Sequence, residues 1–231
     1  PDVIVNAAAY TAVDQAEAEP ELAQAINGTA PGILAEEAKR LGALLVHYST
    51  DYVFDGTKPT PYTEADAPNP LGVYGRSKLA GEQAVQAVGG DHLILRTSWV
   101  YGLRGRNFLL TIMRLAGEKP LLRIVGDQVG APTWCRNIAE TTAALLASPR
   151  GPRGLFHLTA GGTTSWHGFA AAIVAAQGAT ARVEEITTAD YPLPARRPAN
   201  SRLDCGALRA QGIALPDWQD QLRLCLDLKP R

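Results

Sequence analysis

The chain has 231 residues, 46% of them apolar and 19% charged, with a net charge of -1 and a pI near 6.5. That length buries a sizeable core without cross-links, and so small a net charge supplies no broad positive field for nucleic acid or an acidic membrane. Three cysteines, Cys135, Cys205 and Cys225, lie far apart without CxxC spacing. They indicate neither a disulfide framework nor a zinc site and fit a reducing cytoplasm, while no apolar run reaches the roughly 18 residues of a membrane span.

Val3 to Val5 reads as a buried strand that runs into Asn6-Ala7-Ala8-Ala9, a loop of small residues. Because Pro1 is no initiator residue and the apolar run follows at once, the sequence is expected to be part of a longer one. Pro20 to Leu41, rich in Ala, Glu and Leu, predicts one helix closed by Gly42. A second strand, Leu44 to Tyr48, ends in the polar run Ser49-Thr50-Asp51. Gly56 to Gly72 holds Pro59, Pro61, Pro68 and Pro70, which predicts a long irregular loop.

The pattern then predicts a helix over Val73 to Val88, a strand over His92 to Thr97, a helix near Asn107 to Ala116, a strand over Leu122 to Val125 and a helix over Trp134 to Ala147. Strands separated by helices of this length imply right-handed crossovers and a parallel sheet covered on both faces, a doubly wound α/β fold. After Pro149 come a strand at Leu155 to Leu158, a helix opened by Ser165, a strand at Arg182 to Ile186, a Pro-rich stretch and a helix after Pro216. Residues 1–150 are therefore expected to form the main domain and residues 151–231 mostly a smaller α/β lobe interleaved with it.

Tyr74 and Lys78 stand at i and i+4, which puts a phenol and an ammonium about 5–6 Å apart on one helix face. A phenol with a pKa near 10 is a slow acid–base group unless a cation favours its ionised form. The spacing alone is commonplace. Thr50, however, lies at the carboxyl end of a central strand, where open α/β sheets bind ligands, and the Tyr74 helix is the next crossover unit. A hydroxyl there can hold a substrate oxygen while the phenol gives it a proton.

This Thr/Tyr/Lys trio resembles the short-chain dehydrogenase/reductase family, whose extended members act on nucleotide sugars. The Asn6-Ala7-Ala8-Ala9 loop is similar to that family's NAGG-type loop lining the cofactor. Taken in order, PDVIVNAAAYTAVDQAE, HYSTDYVFDG, GVYGRSKLAGE, RTSWVYG, GDQVGAPT, HLTAGGTTSWH and RPANSRLD resemble the dTDP-4-dehydrorhamnose reductase family across nearly the whole chain. The resemblance implies a Rossmann-like dinucleotide domain in residues 1–150 and a substrate lobe in 151–231. It implies NADPH, with NADH possible, and a dTDP-sugar whose C4 ketone is reduced; a homodimer is open.

In this family's terms Thr50, Tyr74 and Lys78 are the catalytic residues, with Lys78 lowering the phenol's pKa and binding the ribose. Ala7, Ala8 and Ala9 line the cofactor with Tyr74 and Lys78. Tyr52 and Trp99 fall where substrate-contacting aromatics stand, although Trp99 is also suited to core packing. Asn107 is a nucleotide ligand or a helix cap. Arg197 is a candidate diphosphate ligand, since guanidinium bonds phosphate oxygens in pairs, or a solvated loop arginine; Arg196 and Arg202 are lesser candidates.

Asp51 is followed by Tyr52, not by the Glu of related dehydratases, which favours reduction over elimination. The alternatives are another nucleotide-sugar reductase or epimerase, or a non-catalytic subunit like the regulatory subunit of methionine adenosyltransferase, which resembles the same family. No GxxGxxG precedes the first strand, so the 231 residues alone are expected to bind dinucleotide poorly and to be inactive. Family members that hold magnesium through glutamates have one after the block matching GAPT. Here Trp134-Cys135-Arg136 follows, and the arginine disfavours a metal. His47, His92, His157 and His167 lack ligand spacing and read as structural.

Overall fold

The computed structural model describes residues 1–148 and 151–228. In chain order β1 (Val3–Asn6) leads through α1 (Val13–Ala16) and α2 (Pro20–Gln24) to α3 (Ala30–Leu41) and β2 (Leu44–Thr50). Then come α4 (Val73–Val88), β3 (His92–Thr97), β4 (Val100–Tyr101), α5 (Phe108–Glu118), β5 (Leu121–Val125), β6 (Val129–Gly130), β7 (Thr133–Trp134) and α6 (Cys135–Ala147). The last elements are β8 (Gly154–His157), β9 (Thr164–Ser165), α7 (Trp166–Ala176), β10 (Arg182–Ile186), α8 (Gly206–Arg209) and α9 (Trp218–Asp227).

The main sheet has the order β1-β2-β3-β8, every pair parallel, with Val3 beside Leu44, Leu45 beside His92 and Leu93 beside Gly154. Side chains alternate across a strand, and the sheet uses both sets. Leu45 and Ile94 pack with Ala35, Ala38 and Val85 from α3 and α4, whereas Leu44, Val46, Leu93 and Leu95 pack with Ile138 and Leu145 of α6. This is the doubly wound parallel arrangement the sequence predicts. β1 is an edge, with Val3 and Val5 exposed.

A second core gathers Leu109, Ile112 and Met113 of α5, Phe169 and Ile173 of α7, and Trp218 and Leu222 of α9. Here β5 and β10 pair in parallel, Leu121 beside Arg182. β8 joins the main sheet, while α5 and β5 pack with α7 and β10, so the chain passes back and forth between the two cores.

Between α2 and α3 the helix predicted as one piece contains a π turn, Ala25–Thr29. Its extra residue frees Asn27, which is buried, to reach out of the helix. The Asn27 amide accepts from Tyr10 N at 2.8 Å and donates to Tyr10 O at 3.0 Å and Ser77 Oγ at 3.1 Å. One side chain thus ties the segment after β1 to α4.

Candidate active site

The site starts where β2 runs out. Thr50 closes the strand in extended conformation and caps the short 3-10 turn Asp51–Val53, its hydroxyl accepting from Tyr52 N at 3.1 Å and donating to Asp51 Oδ1 at 3.0 Å. After the Pro-rich loop, the first turn of α4 comes back against that turn. A Cβ on Gly75 would stand 2.2 Å from the Tyr52 carbonyl oxygen, so only glycine permits the approach. Tyr74 is thereby set edge-on to Tyr52, ring centroids 5.7 Å apart at 79°. Ser77, donating to Tyr74 O at 2.9 Å while accepting from Asn27, holds the same turn.

Burial pushes the Tyr74 phenol up to about 12; the Thr50 hydroxyl opposes this and the Asp51 carboxylate adds to it. Lys78 is only 2% exposed, and its Nζ donates to Tyr48 O at 2.6 Å. Burial lowers its pKa to about 8, against the opposing pull of Glu82. In this structure burial dominates the phenol, and Lys78 is not among the groups that act on it. The two side chains share a helix face, but the lysine stem runs along the sheet to Tyr48 while the ring turns to Thr50. Asp51, 2% exposed and with Oδ2 unpartnered among the described residues, is pushed up to about 7 by burial, with Ser201 and Thr50 opposing. His47 behind them is held near 3 by burial and by Lys78.

Ala7, Ala8 and Ala9 are exposed at the carboxyl end of β1, pinned by Asn6, whose Oδ1 accepts from Ala8 N at 3.2 Å. Trp99 follows β3, half-buried, and stacks on Trp166 with centroids 3.6 Å apart at 7°. Asn107 caps α5, accepting from Leu110 N at 3.2 Å and donating to Gly102 O at 2.9 Å. Its amide is spent on the loop, so in this structure Asn107 makes the cap. Arg197 points at a carboxylate of this chain, Asp14, at 2.7 and 3.0 Å. The expected diphosphate ligand therefore has an internal partner. Arg196 is exposed, and Arg202 donates to Asn200 Oδ1 at 2.8 Å.

Comparison with known proteins assigns the lineage. The family model described as the RmlD substrate binding domain matches residues 1–229. A dTDP-4-dehydrorhamnose reductase of Burkholderia thailandensis is 53% identical over 98% of this chain and 81% of its own length. The chain belongs to the dTDP-4-dehydrorhamnose reductase family. The Escherichia coli K12 reductase is 48% identical over 95% of this chain and 77% of its own. A crystal structure of the Bacillus anthracis reductase in complex with NADP superposes with a TM-score of 0.96 at 36% identity, covering 99% of this chain and 81% of that one.

In this member of the dTDP-4-dehydrorhamnose reductase family several site residues were not legible as such. Asp51 stood next to Thr50 in sequence, and only its burial shows how strongly it is perturbed. Asn27 had a signal: Asn-Gly inside a helix of Ala and Leu is a local conflict of the kind that marks function or strain. Asp14 had none, since its partner is 183 residues away. No helix among the described residues is long and apolar enough to cross a membrane.

Proposed function

We propose that this chain acts in the NADPH-dependent reduction of the C4 ketone of dTDP-4-dehydro-L-rhamnose, giving dTDP-L-rhamnose. The observation that carries the reading is the convergence of Thr50, Tyr74 and buried Lys78 at the carboxyl end of β2, in a chain about half identical to reductases named for that substrate.

The residues present fit the nicotinamide-ribose end of the nucleotide. Ala7 to Ala9 offer exposed backbone with methyl side chains only, beside the end of β2. The one hydrogen bond that Lys78 Nζ makes among the described residues goes to Tyr48 O, which leaves two N–H groups for ribose hydroxyls. When bound, the reduced nicotinamide supplies a hydride to the ketone carbon. Tyr74, held protonated at neutral pH, is the proton donor to the oxygen that becomes the alcohol. Thr50, whose hydroxyl donates to Asp51, stands beside the phenol and orients it. Lys78 adds positive charge that favours the phenolate left behind. Tyr52 and Trp99 form aromatic walls for the deoxysugar; Arg197 and Asn107 shape the loops around it.

Replacement of Tyr74 by Phe in the intact enzyme tests the assignment, with dTDP-keto-sugar reduction followed by NADPH oxidation and product chromatography. A fall in kcat of roughly 10²–10⁴-fold with near-normal KM is expected. A rate within twofold of the parent's sinks it.

A further inference from the structure

Trp99 is the only non-glycine among the described residues with a positive φ, 48°, a conformation that L-residues avoid. Its indole is held in place from two directions. Trp166, first residue of α7, lies flat against it at 3.6 Å and 7°, and Trp166 in turn packs on Phe108 at 4.6 Å, which stacks on the fully buried Phe169. From another side comes Gly130, where a Cβ would stand 2.6 Å from Trp99 Cε2. β6 and β9 pair antiparallel, Gly130 opposite Thr164, so a two-strand ladder fixes the separation of these two supports.

The clamp borders the reaction centre. Ser201 Oγ lies 2.8 Å from the same Gly130 Cβ position, and its hydroxyl is among the groups that act on Asp51. Thr97, two residues before Trp99, is the register partner of Thr50. Trp99 is thus joined to the Thr50–Asp51 corner by one strand pairing and one serine.

We propose that Trp166 is a positioning residue for sugar recognition: it acts through Trp99, holding that ring as a fixed wall against the deoxyhexose. The inference rests on the reading of Trp99 as a substrate contact. A wall held in a disfavoured backbone conformation needs a partner that offsets the strain, and the stack is that partner. Without it Trp99 relaxes, and the sugar loses a preorganised surface while the cofactor does not.

The test compares Trp99→Ala, Trp166→Ala and Trp166→Phe in the intact enzyme, with KM measured separately for keto sugar and NADPH, and the coupled circular-dichroism band of the stacked indoles as the structural signal. Trp166→Ala is expected to abolish that band and raise the keto-sugar KM roughly five- to tenfold, leaving the KM for NADPH and kcat within about twofold. Trp166→Phe should lose the band yet recover most of the keto-sugar KM, and it decides the matter if the alanine variant does not fold. An unchanged keto-sugar KM in the Trp166 variants, with a raised one in Trp99→Ala, overturns the inference. So does a parallel rise in both KM values, which marks a merely structural role. An unchanged KM in Trp99→Ala overturns the reading of Trp99 itself.

Discussion

Asp14 of α1 and Arg197 of the last long loop, 183 residues apart, form a two-pronged ion pair, Nη1 to Oδ1 at 3.0 Å and Nη2 to Oδ2 at 2.7 Å. Ala195 N also donates to Asp14 at 3.1 Å, so one carboxylate gathers the loop onto the segment after β1. The Arg197 guanidinium holds the Asp14 carboxyl below its usual range. A lowered carboxylate contributes stability above its unfolded pKa, near 3.9, and loses it as pH falls through the folded value. Asp14→Asn should cost about 1 kcal/mol at pH 7, a figure kept small because both side chains are partly exposed. Urea unfolding of both proteins in acid should show the gap closing below about pH 4; a gap that persists there argues against the pair.

On the proposed mechanism Lys78 is expected to set the alkaline limit of the reaction. Its pKa near 8 lies far below that of Tyr74, near 12, so rising pH removes the lysine charge while the phenol is still protonated. The kcat should therefore fall above about pH 8. Lys78→Arg keeps a cation at that position. It should lower the plateau and shift the alkaline limb upward, and a limb that stays in place would assign it to another group.

Arg96 and Glu82 join β3 to α4 through Nε to Oε1 at 2.8 Å and Nη2 to Oε2 at 2.6 Å, with both side chains at most 4% exposed. Phe54 lies under the guanidinium at 5.0 Å, and His157, held near 4 by burial and by Arg96, adds no charge at neutral pH. Glu82→Gln leaves a buried cation uncompensated and should cost about 3–5 kcal/mol in denaturant unfolding. The double change Arg96→Met with Glu82→Leu should cost less than the single one, because no charge is then stranded.

Features set by local pattern were readable in advance. α4 falls at Val73–Val88 and β3 at His92–Thr97, as the 3.6-residue and apolar patterns indicate, and Ser165 opens α7 by accepting from Gly168 N at 3.0 Å. The trio itself could be picked out because strand end and next helix are fixed by topology. What escaped depends on contacts across the chain. Nothing local to Glu82 or Arg96 marks them as partners; packing removes both from water. Arg197 looked free because nothing in its neighbourhood names Asp14. Direction was equally hidden: the spacing puts Lys78 near Tyr74, but only the close turn at Gly75 and the carbonyl of Tyr48 decide where each side chain ends.

Asp51 offers the sharpest pH test. Its carboxyl is buried, bonded through Oδ1 to Thr50 and raised to about 7 by burial. A raised carboxyl gives folding its full benefit below the unfolded pKa near 3.9, and that benefit is lost progressively as pH climbs to the folded value. Asparagine carries no such penalty. Asp51→Asn should therefore gain stability relative to the parent between about pH 4 and pH 7, by a few kcal/mol at most, and the gain should then level off. Asparagine keeps a carbonyl oxygen that accepts from the Thr50 hydroxyl, so that hydroxyl stays in place and kcat should change far less than stability does. Thermal unfolding across that pH range, paired with single-turnover rates, separates the two effects. A stability difference that does not vary with pH means that Asp51 ionises as an ordinary carboxylate.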